Sequence, residues 1–217
     1  TCVIARYQEG LLAAVYEDDQ PAALQMSPRR DSLVGNIYIG KVKNILSNIN
    51  AAFVEIGDGQ ICYYEMKKKP ALYTSQQRPG QLTAGDELVI QVEKDAVKTK
   101  APVAKADFSL AGRYLVMAYG NPGIFFSQKI SDTEWKEACR NRLLPLCPPD
   151  CCLIVRTNSR QAEERLLIQE ASSLAEQMGM LIRQAVYKTC YTRLYQAPSP
   201  LMVMLRDLPS VDEIVTD

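Results

Sequence analysis

Between Ile37 and Lys94 the chain is cut into short apolar stretches punctuated by glycine. IYIGKVKNIL carries Ile37, Ile39 and Val42 on one face of an extended chain and Tyr38, Lys41 and Lys43 on the other. Side chains of a strand alternate between two faces, so this pattern predicts a half-covered strand and argues against a helix. AAFVEIGDG (51–59) predicts a second strand with a glycine turn, ICYYEM (61–66) a third and ELVIQVEK (87–94) a fourth. The third connection is long and holds Lys67, Lys68, Lys69, Pro70, Pro79 and Gly80. Short strands, glycine turns and one long connection predict a small barrel of OB type.

The flanks read differently. CVIARYQ and GLLAAVYED predict a hairpin about Glu9-Gly10, with ALQM pairing next. LAGRYLVMA (110–118), GIFFSQKI (123–130) and CCLIVRT (151–157) predict further strands. Ser131 and Glu134 have capping-box spacing and predict a helix over 132–144. From Arg160 to Lys188, Leu167, Ala171, Leu174, Met178, Leu181 and Ala185 recur at three- and four-residue steps, which predicts a long amphipathic helix. QAPSPLMVMLRD reads as a return to a strand, after which SVDEIVTD trails off. In this order the first hairpin and the last strand can belong to one interrupted domain. The fold class is therefore α+β, mostly β.

Charge narrows the partners. Lysine plus arginine and aspartate plus glutamate are equal at 25 each, so a polyanion has to be met by a local patch. From 34 to 113 the cations outnumber the anions, and Tyr38, Phe53, Tyr63 and Tyr64 interleave with cations such as Lys41 and Lys43. Bases of single-stranded nucleic acid stack on rings while cations follow its phosphates. The same residues also suit a plainer arrangement, with Phe53 in the core and the lysines as a solvated face. Arg156 and Thr157 follow directly on an apolar strand. A guanidinium and a hydroxyl so placed suit a terminal phosphate. They equally suit a surface arginine closing a strand, with Thr157 or Ser159 as a helix N-cap.

Other features point to few further chemistries. No apolar run approaches a membrane span, and no signal peptide is visible at the start. Seven cysteines without a disulfide spacing suggest a reducing cytoplasm. There is no histidine, the commonest general base. Cys147, Cys151 and Cys152 of CPPDCC lack a second ligand pair and read as a reduced loop rather than a zinc site. Asp18-Asp19 and Asp212-Glu213 read as turns. No metal ligand and no catalytic residue is assigned in this chain. It opens on Thr1 rather than methionine, as a fragment would.

VGNIYIGKVKNILSNINAAFVEIGDG resembles the S1 RNA-binding domain of the ribonuclease E/G family, and the likeness continues through GDELVIQVEKDAVKTKAP, SLAGRYLVM and LIVRT. Four motifs stand in the family's order over about 34–157, with weaker similarity to both ends. The resemblance implies an S1-type barrel over 34–105 and a 5′-sensor over 106–192. It also implies a ribonuclease-H-like subdomain split between 1–33 and 193–217. It implies further that Phe53 stacks on RNA, that Lys100 contacts RNA, and that a second aromatic falls at Cys62 or Tyr63. Arg156 and Thr157 match the family's binders of an RNA 5′-monophosphate, and Gly112 and Val116 match residues whose backbone lines that pocket. RTNS replaces a small-residue continuation, which enlarges or polarises the pocket rim. The family's Mg²⁺-holding aspartates and zinc cysteines lie in a catalytic part without counterpart here. The implied function is the RNA-reading region of an endoribonuclease that processes single-stranded RNA, preferentially 5′-monophosphorylated, with the catalytic part as its partner and inactive alone. The alternative is a stand-alone, non-catalytic RNA-binding regulator.

Overall fold

Three antiparallel strands open the chain: β1 (Cys2–Tyr7), β2 (Gly10–Glu17) and β3 (Gln20–Pro28). They come from a computed structural model that describes the chain up to Thr216 except residues 9, 29–31, 67–70, 77–79 and 209–211. Glu9, Lys67, Lys68, Lys69, Pro70 and Pro79 of the sequence reading lie outside the described residues. Between β2 and β3, Asp18 and Asp19 both have positive φ, 49° and 60°, as a type I′ hairpin turn requires.

The barrel is the one that the glycine-punctuated strands predict. It is built from β4 (Ile37–Leu46), β5 (Ala51–Glu55), β6 (Ile61–Glu65), β8 (Glu87–Lys94) and β9 (Val103–Lys105), with the short β7 (Tyr73–Ser75) beside β8. Neighbours run β4-β5-β6-β9-β8, and β8 pairs back onto β4, so no edge is left between the five. Val42, Val54, Cys62, Tyr64, Ile90, Val92 and Ala104 fill the interior. Gly40 lets β4 approach β5, since a Cβ there would stand 2.5 Å from Cγ1 of Val54. The expected outward face of β4 needs correction at Tyr38, which is 8% exposed and packs inside the barrel. Its neighbour Ile37 is buried in a second core. The first half of β4 is covered on both faces, so alternation there does not sort inside from outside.

That second core lies between a four-stranded sheet and a long helix. β10 (Ser109–Ala111) and β11 (Leu115–Tyr119) form a hairpin where the sequence predicts one strand. β12 (Gly123–Phe126) leads to α1 (Thr133–Leu143), and β13 (Cys151–Val155) then inserts between β11 and β12. The cap of α1 is Asp132, one residue later than expected, and its Oδ1 accepts from the Trp135 N–H at 2.9 Å. α2 (Glu164–Tyr187) buries the predicted stripe against the sheet. It begins at Glu164 rather than Arg160, because Thr157–Gln161 form a 3₁₀ turn first.

β14 (Arg193–Tyr195) pairs with β4, and these segments belong to a compact unit over Leu33–Gln196. Thr1–Ser32 and Ala197–Asp217 form a second unit. In it most of the strand expected over 196–207 is instead α3 (Pro200–Asp207), packed on β3. Ser199 Oγ accepts from the Met202 N–H, and Pro200 occupies the first turn, where its missing N–H costs nothing. The tail does not trail off: β15 (Ile214–Thr216) pairs in parallel with β1, Val215 opposite Val3. Among the described residues no helix is long and apolar enough to cross a membrane.

Candidate nucleic-acid interface

On the outer surface of the barrel, strand register assembles a row that no single segment contains. Asn44 stands opposite Phe53, Phe53 opposite Tyr63, Tyr63 opposite Val103, and Val103 opposite Lys94. The Phe53 and Tyr63 rings meet edge to face, centroids 6.2 Å apart. Both are half-buried, whereas Cys62 is in the interior, so Tyr63 rather than Cys62 accompanies Phe53. Tyr64 lies in the barrel core and, like Tyr38, offers no ring to an outside partner. Lys100 stands in the β8–β9 connection, three residues before Val103, where its backbone bridges to Val97.

Lys41 and Lys43 carry carboxylate partners. Lys43 Nζ is 3.1 Å from Glu55 and Lys41 Nζ is 3.9 Å from Glu87. Tyr191 donates its hydroxyl to Glu55 at 2.6 Å. That hydrogen bond, ahead of Lys43, holds the Glu55 carboxyl below its ordinary value, and it pushes the Tyr191 hydroxyl up to about 12. Lys94, one of the cations of the 34–113 stretch, ends the aromatic row. Only the register of the β8–β9 pair gives it that place.

A second constellation surrounds the turn between β10 and β11. Arg156, at the end of β13, donates its backbone N–H to the Tyr114 carbonyl at 2.9 Å and Nη1 to the Gly112 carbonyl at 2.8 Å. Asn158 Nδ2 donates to the Arg113 carbonyl, and buried Ser159 donates its hydroxyl to the Tyr114 carbonyl, each at 2.7 Å. These bonds draw 157–161 into the 3₁₀ turn that delays α2. Thr157 Oγ1 lies 3.0 Å from Ser127 Oγ on the exposed rim. Val116 is beside them in register: Ala111, Val116, Ile154 and Phe125 form one row across the four strands, with Phe125 48% exposed. The structure thus brings Arg156 and Gly112 together, with Val116 and Thr157 adjoining.

Gly112 uses both of its backbone groups internally, its N–H donating to the Leu115 carbonyl at 2.8 Å. Its missing side chain serves α2, since a Cβ there would overlap the Glu170 carboxylate. Neither Glu170 nor Ser127 was singled out in the sequence. Both lie far along the chain from the residues they touch, beyond the reach of local pattern.

The CPPDCC cysteines are mostly interior. Cys151 and Cys152 are buried on β13, and desolvation pushes the Cys151 thiol up to about 12. Among the described residues no three His, Cys, Asp or Glu side chains are placed to hold a metal.

An OB-like closed barrel next in the chain to a helix-backed sheet defines the class of fold. A family model described as "Ribonuclease E/G family" matches residues 109–217, half of the chain, and the chain belongs to that family. It is 31% identical to a ribonuclease E of Synechocystis sp., over 95% of this chain and 31% of the relative. It is 27% identical to a ribonuclease E/G-like protein of Porphyra purpurea, over 80% of this chain and 35% of the relative. To a ribonuclease G of Haemophilus influenzae it is 26% identical, over 94% of this chain and 42% of the relative. The chain spans a third to two fifths of the length of these relatives.

Proposed function

We propose that this chain is the RNA-binding and 5′-end-sensing region of a ribonuclease E/G-type endoribonuclease. The observation that carries the reading is the outward pair Phe53–Tyr63, set in register between Asn44 and Lys94 on a closed barrel. Outward, half-buried rings in line with a cation suit stacked bases and their phosphates. In this reading the barrel is the S1-type domain, and 106–192 is the sensor, with Arg156 and Thr157 holding a 5′-monophosphate. The terminal unit is the split ribonuclease-H-like part. Hydrolysis of single-stranded RNA with Mg²⁺ belongs to the part of the relatives that this sequence does not match. The aspartates that the resemblance assigns to the metal lie there.

The test is a titration of the chain with one single-stranded RNA carrying either a 5′-monophosphate or a 5′-hydroxyl, repeated at several salt concentrations. Salt-sensitive binding, tighter for the phosphorylated end, supports the proposal. Salt-insensitive binding, or none, removes it.

A further inference from the structure

Glu170 projects from the second turn of α2, one residue before Ala171, which is fully buried. Its carboxylate accepts three successive backbone N–H groups. Oε2 takes that of Arg113 at 3.2 Å, and Oε1 takes those of Tyr114 at 2.9 Å and Leu115 at 2.8 Å. A carboxylate against a core is costly unless hydrogen-bonded, and here the turn supplies the donors.

The three peptide units are held at their carbonyl ends as well. A peptide unit is planar and trans, so the N–H of one residue and the C=O of the residue before it point in opposite directions. The N–H groups of Arg113, Tyr114 and Leu115 therefore share planes with the carbonyls of Gly112, Arg113 and Tyr114. Those oxygens accept from Arg156 Nη1, from Asn158 Nδ2, and from Ser159 Oγ together with the Arg156 N–H. One carboxylate thus grips the nitrogen ends of three peptide planes whose oxygen ends hold 156–159. Each bond polarises the plane it ends on and strengthens the bond at the far side.

We infer that Glu170 is a positioning residue for Arg156: by fixing the 112–115 turn from behind, it sets the guanidinium where a 5′-phosphate is read. The inference rests on the proposal that Arg156 binds that phosphate. A rival follows from the same geometry. Three successive N–H groups also form a seat for an anion, and Glu170 could be the occupant that a phosphate displaces. The two ideas predict opposite changes when the carboxylate is removed.

The experiment measures affinities of the chain for 5′-phosphorylated and 5′-hydroxyl RNA in the wild type, Glu170→Gln and Glu170→Asp. Backbone amide shifts of Arg113, Tyr114 and Leu115 are recorded alongside. Glutamine presents one accepting oxygen and turns a donor toward the Arg113 N–H. Glu170→Gln is expected to reduce the preference for the phosphorylated end about tenfold, the size of one lost hydrogen bond to a charged group. Binding of 5′-hydroxyl RNA should stay the same, and the three amide resonances should move. Glu170→Asp keeps both oxygens and is expected to retain part of the preference; if Glu170→Gln does not fold, this variant decides. An undiminished preference in a folded variant with displaced amides overturns the inference alone. A stronger preference overturns it in favour of the displaced occupant. A wild-type chain without preference overturns the reading beneath it.

Discussion

Phe53 and Tyr63 stand directly opposite each other on β5 and β6, their rings 6.2 Å apart at 73° on the outside of the barrel. Their neighbours in sequence, Val54 and Tyr64, point the other way and fill its interior. One strand pair thus separates an outer aromatic face from a core, residue by residue.

Truncating the outer pair is expected to affect binding more than stability. Phe53→Ala and Tyr63→Ala should each lose about 1–3 kcal/mol of affinity for single-stranded RNA, as removal of a stacking ring does. Thermal melting with parallel anisotropy titrations checks this. Unfolding of Phe53→Ala would mean that the ring belongs to the core.

Tyr64→Ala makes the opposite case. Tyr64 is 5% exposed, and its loss should cost about 3 kcal/mol or more of folding stability, as cavity-forming truncation of a large buried ring does. Urea unfolding reads the change directly.

Among the cations, Lys94 should matter more to RNA than Lys43. Lys94→Ala is expected to flatten the slope of log K against log salt by roughly 0.7, one phosphate contact on a single strand. Lys43 is engaged with Glu55 at 3.1 Å, and Lys43→Ala should change the slope less. Equal effects would show that the Glu55 pair opens when RNA binds.

The Tyr191–Glu55 hydrogen bond predicts an alkaline signature. The folded-state value of Tyr191 is raised from 10.0 to about 12, so its contribution is complete below pH 10 and disappears as pH rises through about 12. Tyr191→Phe should melt lower than the wild type near neutrality, and the gap should close between pH 10 and 12. A gap independent of pH would place the bond elsewhere.

Gly112→Ala should disturb the 112–115 turn from the side of α2. The added Cβ would overlap the Glu170 carboxylate, itself held by three N–H groups. The expected loss is about 1–3 kcal/mol, the cost of leaving such donors unsatisfied. In a Glu170→Ala background the same change should cost less, a coupling that a double-mutant cycle in urea measures.

The parts of this fold that were legible in the sequence are those set by local period. The α2 stripe from Leu167 to Ala185 and the barrel strands announce themselves at 3.6 and 2 residues. PLMVM did not, because a short apolar run fits strand and helix alike. Ser199 and Pro200 are the start signals that decide it, and they were read as part of a strand. Tyr38 misled because β4 is covered on both sides. Of the candidate site, Arg156 and Phe53 were visible through family motifs. Glu170 was not, since its partners at 113–115 lie more than fifty residues away and meet it only once α2 packs on the sheet.

The central claim, that Arg156 reads an RNA 5′-phosphate, is tested most directly by the affinity ratio of 5′-phosphorylated to 5′-hydroxyl RNA in the wild type and in Arg156→Ala. The account predicts a wild-type preference of about tenfold or more, the value of a charged hydrogen bond, and its near-complete loss in the variant. Affinity for the 5′-hydroxyl RNA should be retained. A preference that survives in Arg156→Ala, or a wild-type chain that binds both ends equally, would contradict it.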